Sequence, residues 1–140
     1  MKDKIIRKLS LWLPPVLWAV LIFHFSSGTI PVASAVYWQD FTIKKTGHVL
    51  LFGVLAILTF RALRGEGIER KKALIWAIII ATLYGATDEF HQMFTQGRES
   101  RVRDVFIDQI GAIIATYLTY VFLPKLPKKL RIYAEELNLI

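Results

Sequence analysis

The chain has 140 residues, 54% of them hydrophobic and 21% charged, with a formal net charge of +7 and a mean hydropathy of +0.44. That is short for several domains and too apolar for an ordinary soluble domain, so a small integral membrane protein is the expected class. The absence of cysteine excludes disulfides, a thiolate nucleophile and Cys-based zinc or iron–sulfur centres, while leaving His and carboxylate metal sites open.

The first apolar run is expected to cross the membrane over about residues 9–28, after Lys2, Lys4, Arg7 and Lys8. It contains Pro14-Pro15, which should kink it near that end. A secretory signal peptide is the competing reading, with Ala33-Ser34-Ala35 as its cleavage site; the length of the run and the spans that follow weigh against it. Ser26-Ser27-Gly28 lead into a loop with Pro31, Tyr37, Trp38 and Asp40, where the aromatic pair suits the headgroup level and residues 33–41 are read as a short surface helix.

The second span is expected over about 44–63, with Lys44, Lys45 and His48 at its start and Arg61 and Arg64 at its finish, before a polar turn at Gly65-Glu66-Gly67. The third runs over 73–92 and ends in Asp88-Glu89-Phe90-His91-Gln92. The fourth runs over 104–123 and stops at Pro124. In the tail, 125–140, Leu126, Leu130, Tyr133, Leu137 and Ile140 recur at roughly helical spacing among charged residues, the pattern of an amphipathic helix lying on the inner membrane surface. The expected architecture is all-α, a single-domain bundle of four transmembrane helices with a C-terminal amphipathic interfacial helix.

The basic residues stand between the apolar runs, where lipid anchors stand, and form no aromatic and basic face for nucleic acid. Of the 18 Lys and Arg, 13 lie in the N-terminal segment, the second connection and the tail. The positive-inside rule therefore expects both termini in the cytoplasm. About 20 residues cross a ~30 Å hydrocarbon core, so measuring each span from its cytoplasmic end brings four polar clusters to one depth near the outer surface. These are Ser26-Ser27, Lys44/Lys45/His48, Asp88/Glu89/His91/Gln92 and Asp104/Asp108/Gln109. Residues three or four apart share a helix face, which groups Asp88, His91 and Gln92 with Gly85 and Ala81 deeper, Lys45 with His48, and Asp104 with Asp108 and Gly111. The expectation is a polar pocket, open outwards, beneath the 93–103 loop.

Ionisable groups inside a membrane are costly, so those that persist are functional candidates. Asp88 and His91 are the candidate catalytic acid/base pair. Ser26, Lys45, His48, Glu89, Gln92, Arg98, Arg101, Asp104 and Asp108 are the candidate ligand-binding residues. Arg98 is the leading anion binder, because a planar guanidinium suits phosphate or carboxylate bidentately; headgroup contact is its plainer reading. His48 serves equally well as an interhelical hydrogen bond. Asp108 with Gln109 reads as another such pair, and Arg101 with Asp104 as a local salt bridge. Glu89 lies about 100° round the helix from Asp88, and its plainer role is to pair with a loop arginine. No metal or other cofactor is expected; Asp88, His91, His48 and Asp108 would be the ligands if a divalent ion bound, but no H-E-x-x-H or comparable spacing supports one.

Phe25-Ser26-Ser27, Lys45-x-x-His48, Asp88-Glu89-x-His91-Gln92, Gly97-Arg98-x-x-Arg101-x-x-Asp104 and Asp108-x-x-Gly111 together resemble the VanZ-like family, over about residues 20–120. The serine that members often carry two residues after the arginine is present as Ser100, whereas Asp108-Gln109 stands near where an Asn is often found. The family takes its name from a protein associated with low-level teicoplanin resistance, so the resemblance implies a bacterial cell-envelope setting in the plasma membrane. The functional expectation is a protein that binds or modulates an anionic lipid-linked or cell-wall ligand among membrane lipids. The alternative is a membrane enzyme acting on an envelope precursor through Asp88 and His91, with transport a weaker third. Oligomeric state is left open.

Overall fold

The apolar runs become helices because only a helix satisfies its own backbone N–H and C=O groups within hydrocarbon. A computed structural model describes residues 2–28, 34–96 and 100–140. Among these, four helices are long and apolar enough to cross a membrane: α1 (Lys2–Ser26), α2 (Tyr37–Gly65), α3 (Arg70–Gln92) and α4 (Val102–Phe122). A 3-10 turn (Leu123–Lys125) and a short α5 (Lys128–Glu136) follow. The chain is an all-helical membrane protein, as its four apolar runs predict.

Successive helices alternate in direction. α2 and α4 share the most extensive contact, α3 packs on both, and α1 lies against α2 and α3. The segments flanking the bundle thus meet at one end of it, called here the terminal end; the other is the polar end. Glycines set the closest approach. A Cβ on Gly111 would collide with the Val49 backbone, and one on Gly53 would lie 3.0 Å from the Ala115 Cβ, so α2 and α4 touch backbone to backbone in the manner of small-residue membrane packing.

α2 begins at Tyr37 rather than Lys44. The expected surface helix is its first turns instead of a separate element, since neither Pro nor Gly interrupts residues 37–46 and Lys44 bridges Asp40 at 2.7 Å, one turn away. Residue 33, where that helix was expected to start, Pro31 and the first residue of the Ala33-Ser34-Ala35 triplet lie outside the described residues.

α1 runs unbroken through Pro14 and Pro15. Pro14 has no N–H for the Ser10 carbonyl one turn back, and Arg61 Nη1 from α2 donates to that oxygen instead, at 3.2 Å. α2 ends in a Schellman motif in which Gly67 takes φ +87°, Ile68 N–H bonds the Leu63 carbonyl and Gly67 N–H that of Arg64. Arg7 adds a bond to the Gly65 carbonyl at 2.7 Å, placing positive charge where the helix dipole is negative.

The tail is helical only over Lys128–Glu136, not over 125–140. Pro124 and Pro127 cannot continue α4, and a second Schellman motif stops α5 with Asn138 at φ +59° and Leu139 N–H on the Ala134 carbonyl. The last residues then turn back onto the bundle. Leu139 packs against the cluster of Phe60, Leu63, Ala73 and Ala77, while Arg61 and Arg64 donate to the Leu137 and Ile140 carbonyls. Leu130, Ile132, Tyr133 and Leu137 stay exposed, so α5 keeps an apolar flank beside its lysines.

Candidate functional site

The site begins one helical turn beyond the core. Ile22, Phe52, Ala81 and Ala112, one from each spanning helix, belong to a single buried cluster with Leu55 and Ala56. α1 and α3 rise towards the polar end and α2 and α4 descend from it. One turn further along each helix therefore reaches Ser26, His48, Gly85 and Asp108. This is where hydrocarbon packing gives way to a polar layer, and Asp108 and Ser26 are 0% and 2% exposed within it.

His48 Nδ1 lies 2.9 Å from Asp108 Oδ1, joining α2 to α4, and the imidazole stacks on Phe52 below with an interplanar angle of 4°. Asp108 reaches the α3 backbone because Gly85 has no side chain: a Cβ there would lie 3.3 Å from both Asp108 Oδ2 and Phe52 Cε1. A turn higher, Lys45 donates to Asp104, a second tie between α2 and α4. Arg103 Nε approaches the other oxygen of Asp104 at 3.6 Å. Phe41 holds both cations over its ring, Lys45 at 5.7 Å and Arg103 at 5.0 Å from the centroid.

α3 supplies the remaining wall. Gln92 Nε2 donates to Asp88 Oδ2 at 2.8 Å, and both residues are buried. Glu89 is as buried as Asp88, at 4% exposure each, despite its different direction. Its Oε2 accepts from Ser100 Oγ at 3.1 Å and from the Arg101 backbone N–H at 2.9 Å, fastening the start of α4 to the end of α3. It turns inward because α3 packs between α1 on one side and α2 and α4 on the other, so more than one of its faces is covered. His91 is half-buried against Phe23 of α1, ring centroids 4.4 Å apart.

Ser26, Lys45, His48, Asp88, Glu89, Gln92, Asp104 and Asp108 thus gather at one end of the bundle, and Arg101 sits at its rim as the residue preceding α4. Arg98, with Gly97 and Glu99, lies outside the described residues. Asp88 and His91, grouped by spacing, share no hydrogen bond: Asp88 is held by Gln92, and the His–carboxylate pair that forms is His48 with Asp108. Among the described residues no three His, Asp or Glu side chains gather closely enough to hold a metal ion. Phe41 is the residue that the sequence did not single out, although its four-residue spacing to Lys45 is the signal that carried it; Arg103, expected in the loop over the pocket, lies in the first turn of α4 against Asp104.

At this end of the bundle the buried atoms with no hydrogen-bond partner among the described residues are Ser26 Oγ, Asp88 Oδ1, Glu89 Oε1, His91 Nδ1, Asp104 Oδ1 and Asp108 Oδ2. A family model described as VanZ/LLP1 matches residues 6–123. No curated protein and no solved structure matches the chain.

Proposed function

The chain belongs to the VanZ/LLP1 family, and from that membership and the polar layer we propose that it binds or modulates an anionic lipid-linked or cell-wall ligand at the polar end of its bundle. The observation that carries this reading is the layer itself: Asp88, Glu89, Asp104 and Asp108 are all at most 5% exposed at the end of membrane-spanning helices. Carboxylates in that setting cost several kcal/mol unless matched, so a bundle that keeps four of them uses them. Two interhelical ties would suffice to hold the helices together. The basic rim, Arg101 and Arg103 with Arg98 between the two helices in sequence, supports the anionic part of the ligand.

The setting we propose is the bacterial plasma membrane, with both termini cytoplasmic and the polar end facing outwards, because the Lys and Arg concentrate at the terminal end. A link to teicoplanin resistance is the corresponding proposal for the family tie. The alternative is an enzyme acting on an envelope precursor. His48–Asp108 has the geometry of an oriented base, at 2.9 Å, and is a better-formed acid/base pair than Asp88 with His91.

Organic phosphate carried through purification of the full chain tests the binding reading. Wild type should retain about one phosphate per chain after detergent exchange, and Arg98→Ala and Arg101→Ala should lose it. Turnover of a lipid-linked precursor in a deletion strain complemented with wild type but not with Asp88→Ala would replace binding with catalysis.

A further inference from the structure

We propose that the polar layer recognises a primary ammonium group, so that the ligand inferred above carries a cationic amine next to its anionic group; this rests on that ligand reading. Among the described side chains, Lys45 and Arg103 are committed to Asp104 and His48 to Asp108. One oxygen on each of Asp88, Glu89, Asp104 and Asp108 is buried with no hydrogen-bond donor among the described residues; that of Asp104 has Arg103 Nε at 3.6 Å, which leaves the three on Asp88, Glu89 and Asp108. Buried acceptors left unmet are uncommon, and those of carboxylates in a membrane are the costliest.

Ser26 is an independent pointer to the same place. It is 2% exposed, its hydroxyl oxygen has no partner among the described residues, and it lies one turn beyond Ile22 on the face that packs with Phe52, Ala81 and Ala112. It therefore looks into the layer that contains Gly85 and Asp108. The unmet carboxylate oxygens come from α3 and α4 and accept, and the Ser26 hydroxyl adds from α1 an oxygen that can accept as well as donate.

An ammonium group offers three donors and a compact positive charge, matching three unmet carboxylate oxygens. A guanidinium carries five donors in a rigid planar fork, more than these three oxygens accept. With Arg101 and Arg103 at the rim, the arrangement favours a ligand whose ammonium lies inward and whose phosphate or carboxylate lies outward. An aminoalkyl phosphate, as a lipid headgroup or free, has that chemistry.

The test uses the full chain purified in detergent and three probes: phosphatidylethanolamine, its N-acetylated form with the same acyl chains, and soluble phosphoethanolamine. N-acetylation removes the ammonium and keeps the phosphate. Affinities from native mass spectrometry should be about tenfold tighter for the free amine than for the acetylated lipid, the scale of one charge-assisted hydrogen bond. Asp88→Asn and Glu89→Gln should each abolish most of that preference, read as the ratio of the two lipids' affinities; if either fails to fold, Ser26→Ala carries the comparison. Competition by soluble phosphoethanolamine would assign the recognition to the headgroup alone, and its failure to compete would assign it to the intact lipid. Equal affinity for the two lipids, or a preference that survives both carboxylate substitutions, overturns the ammonium and leaves the anionic reading in place. Failure of every probe to bind, together with no copurifying phosphate, overturns the anionic reading itself.

Discussion

At the scale of single residues, what distinguishes this bundle is how its charges are matched. Lys45 and Asp104 tie α2 to α4 where both are largely buried, and a buried pair is worth less than the damage done by removing one partner. Asp104→Ala should therefore cost roughly 3–5 kcal/mol by stranding Lys45, whereas Lys45→Met combined with Asp104→Leu should recover most of it. Denaturant unfolding in micelles measures both, and a harmless Asp104→Ala would show that the pair does not tie the helices. Arg61 illustrates a different matching. It is paired with no carboxylate among the described residues, and it serves carbonyls that proline and the folded-back tail leave without donors.

Among the elements, the α2–α4 seam carries the geometry on which the polar layer depends. His48 meets Asp108, and Lys45 meets Asp104, only because Gly111 lets the α4 backbone approach Val49 one turn below. Gly111→Val should force the helices apart and cost about 1–3 kcal/mol, with loss of the His48–Asp108 contact. Gly47, on α2, is the control. A Cβ there meets nothing within 4 Å, so Gly47→Ala should raise stability by about 0.5–1 kcal/mol through helix propensity alone. Thermal unfolding of the two variants should shift in opposite directions, and equal shifts would contradict this account of the seam.

For the whole molecule, alternating helices bring the polar layer to one end and the arginine-capped turns and tail to the other. The orientation proposed for this arrangement is open to labelling, since the chain has no cysteine to mask an introduced one. Gln96→Cys, beyond the end of α3, and Gly67→Cys, in the exposed α2–α3 turn, lie at opposite ends. In intact cells an impermeant maleimide should modify the first and reach the second only after permeabilisation; the reverse pattern would invert the topology. The tail belongs to this scale too, because Leu139 closes the terminal end only once α2 and α3 have assembled its cluster.

The sequence by itself determined the four spans, their alternating course and the common depth of Ser26, Lys45, His48, Asp88, Glu89, Gln92, Asp104 and Asp108. Hydrophobic run length and the 1.5 Å rise of a helix suffice for that, since both are local quantities. The partners were not local. Spacing along one helix grouped Asp88 with His91, yet which carboxylate meets which base depends on how helices rotate about their axes, and that rotation is set by Gly53, Gly85 and Gly111 against neighbours 23 to 62 residues away. Glu89 turned inward for the same reason, as α3 is covered on more than one side. The tail's end was decided by tertiary contacts as well: its apolar spacing reads as one continuous helix, but Pro127, Asn138 and the pull of the Phe60 cluster on Leu139 end that helix at Glu136.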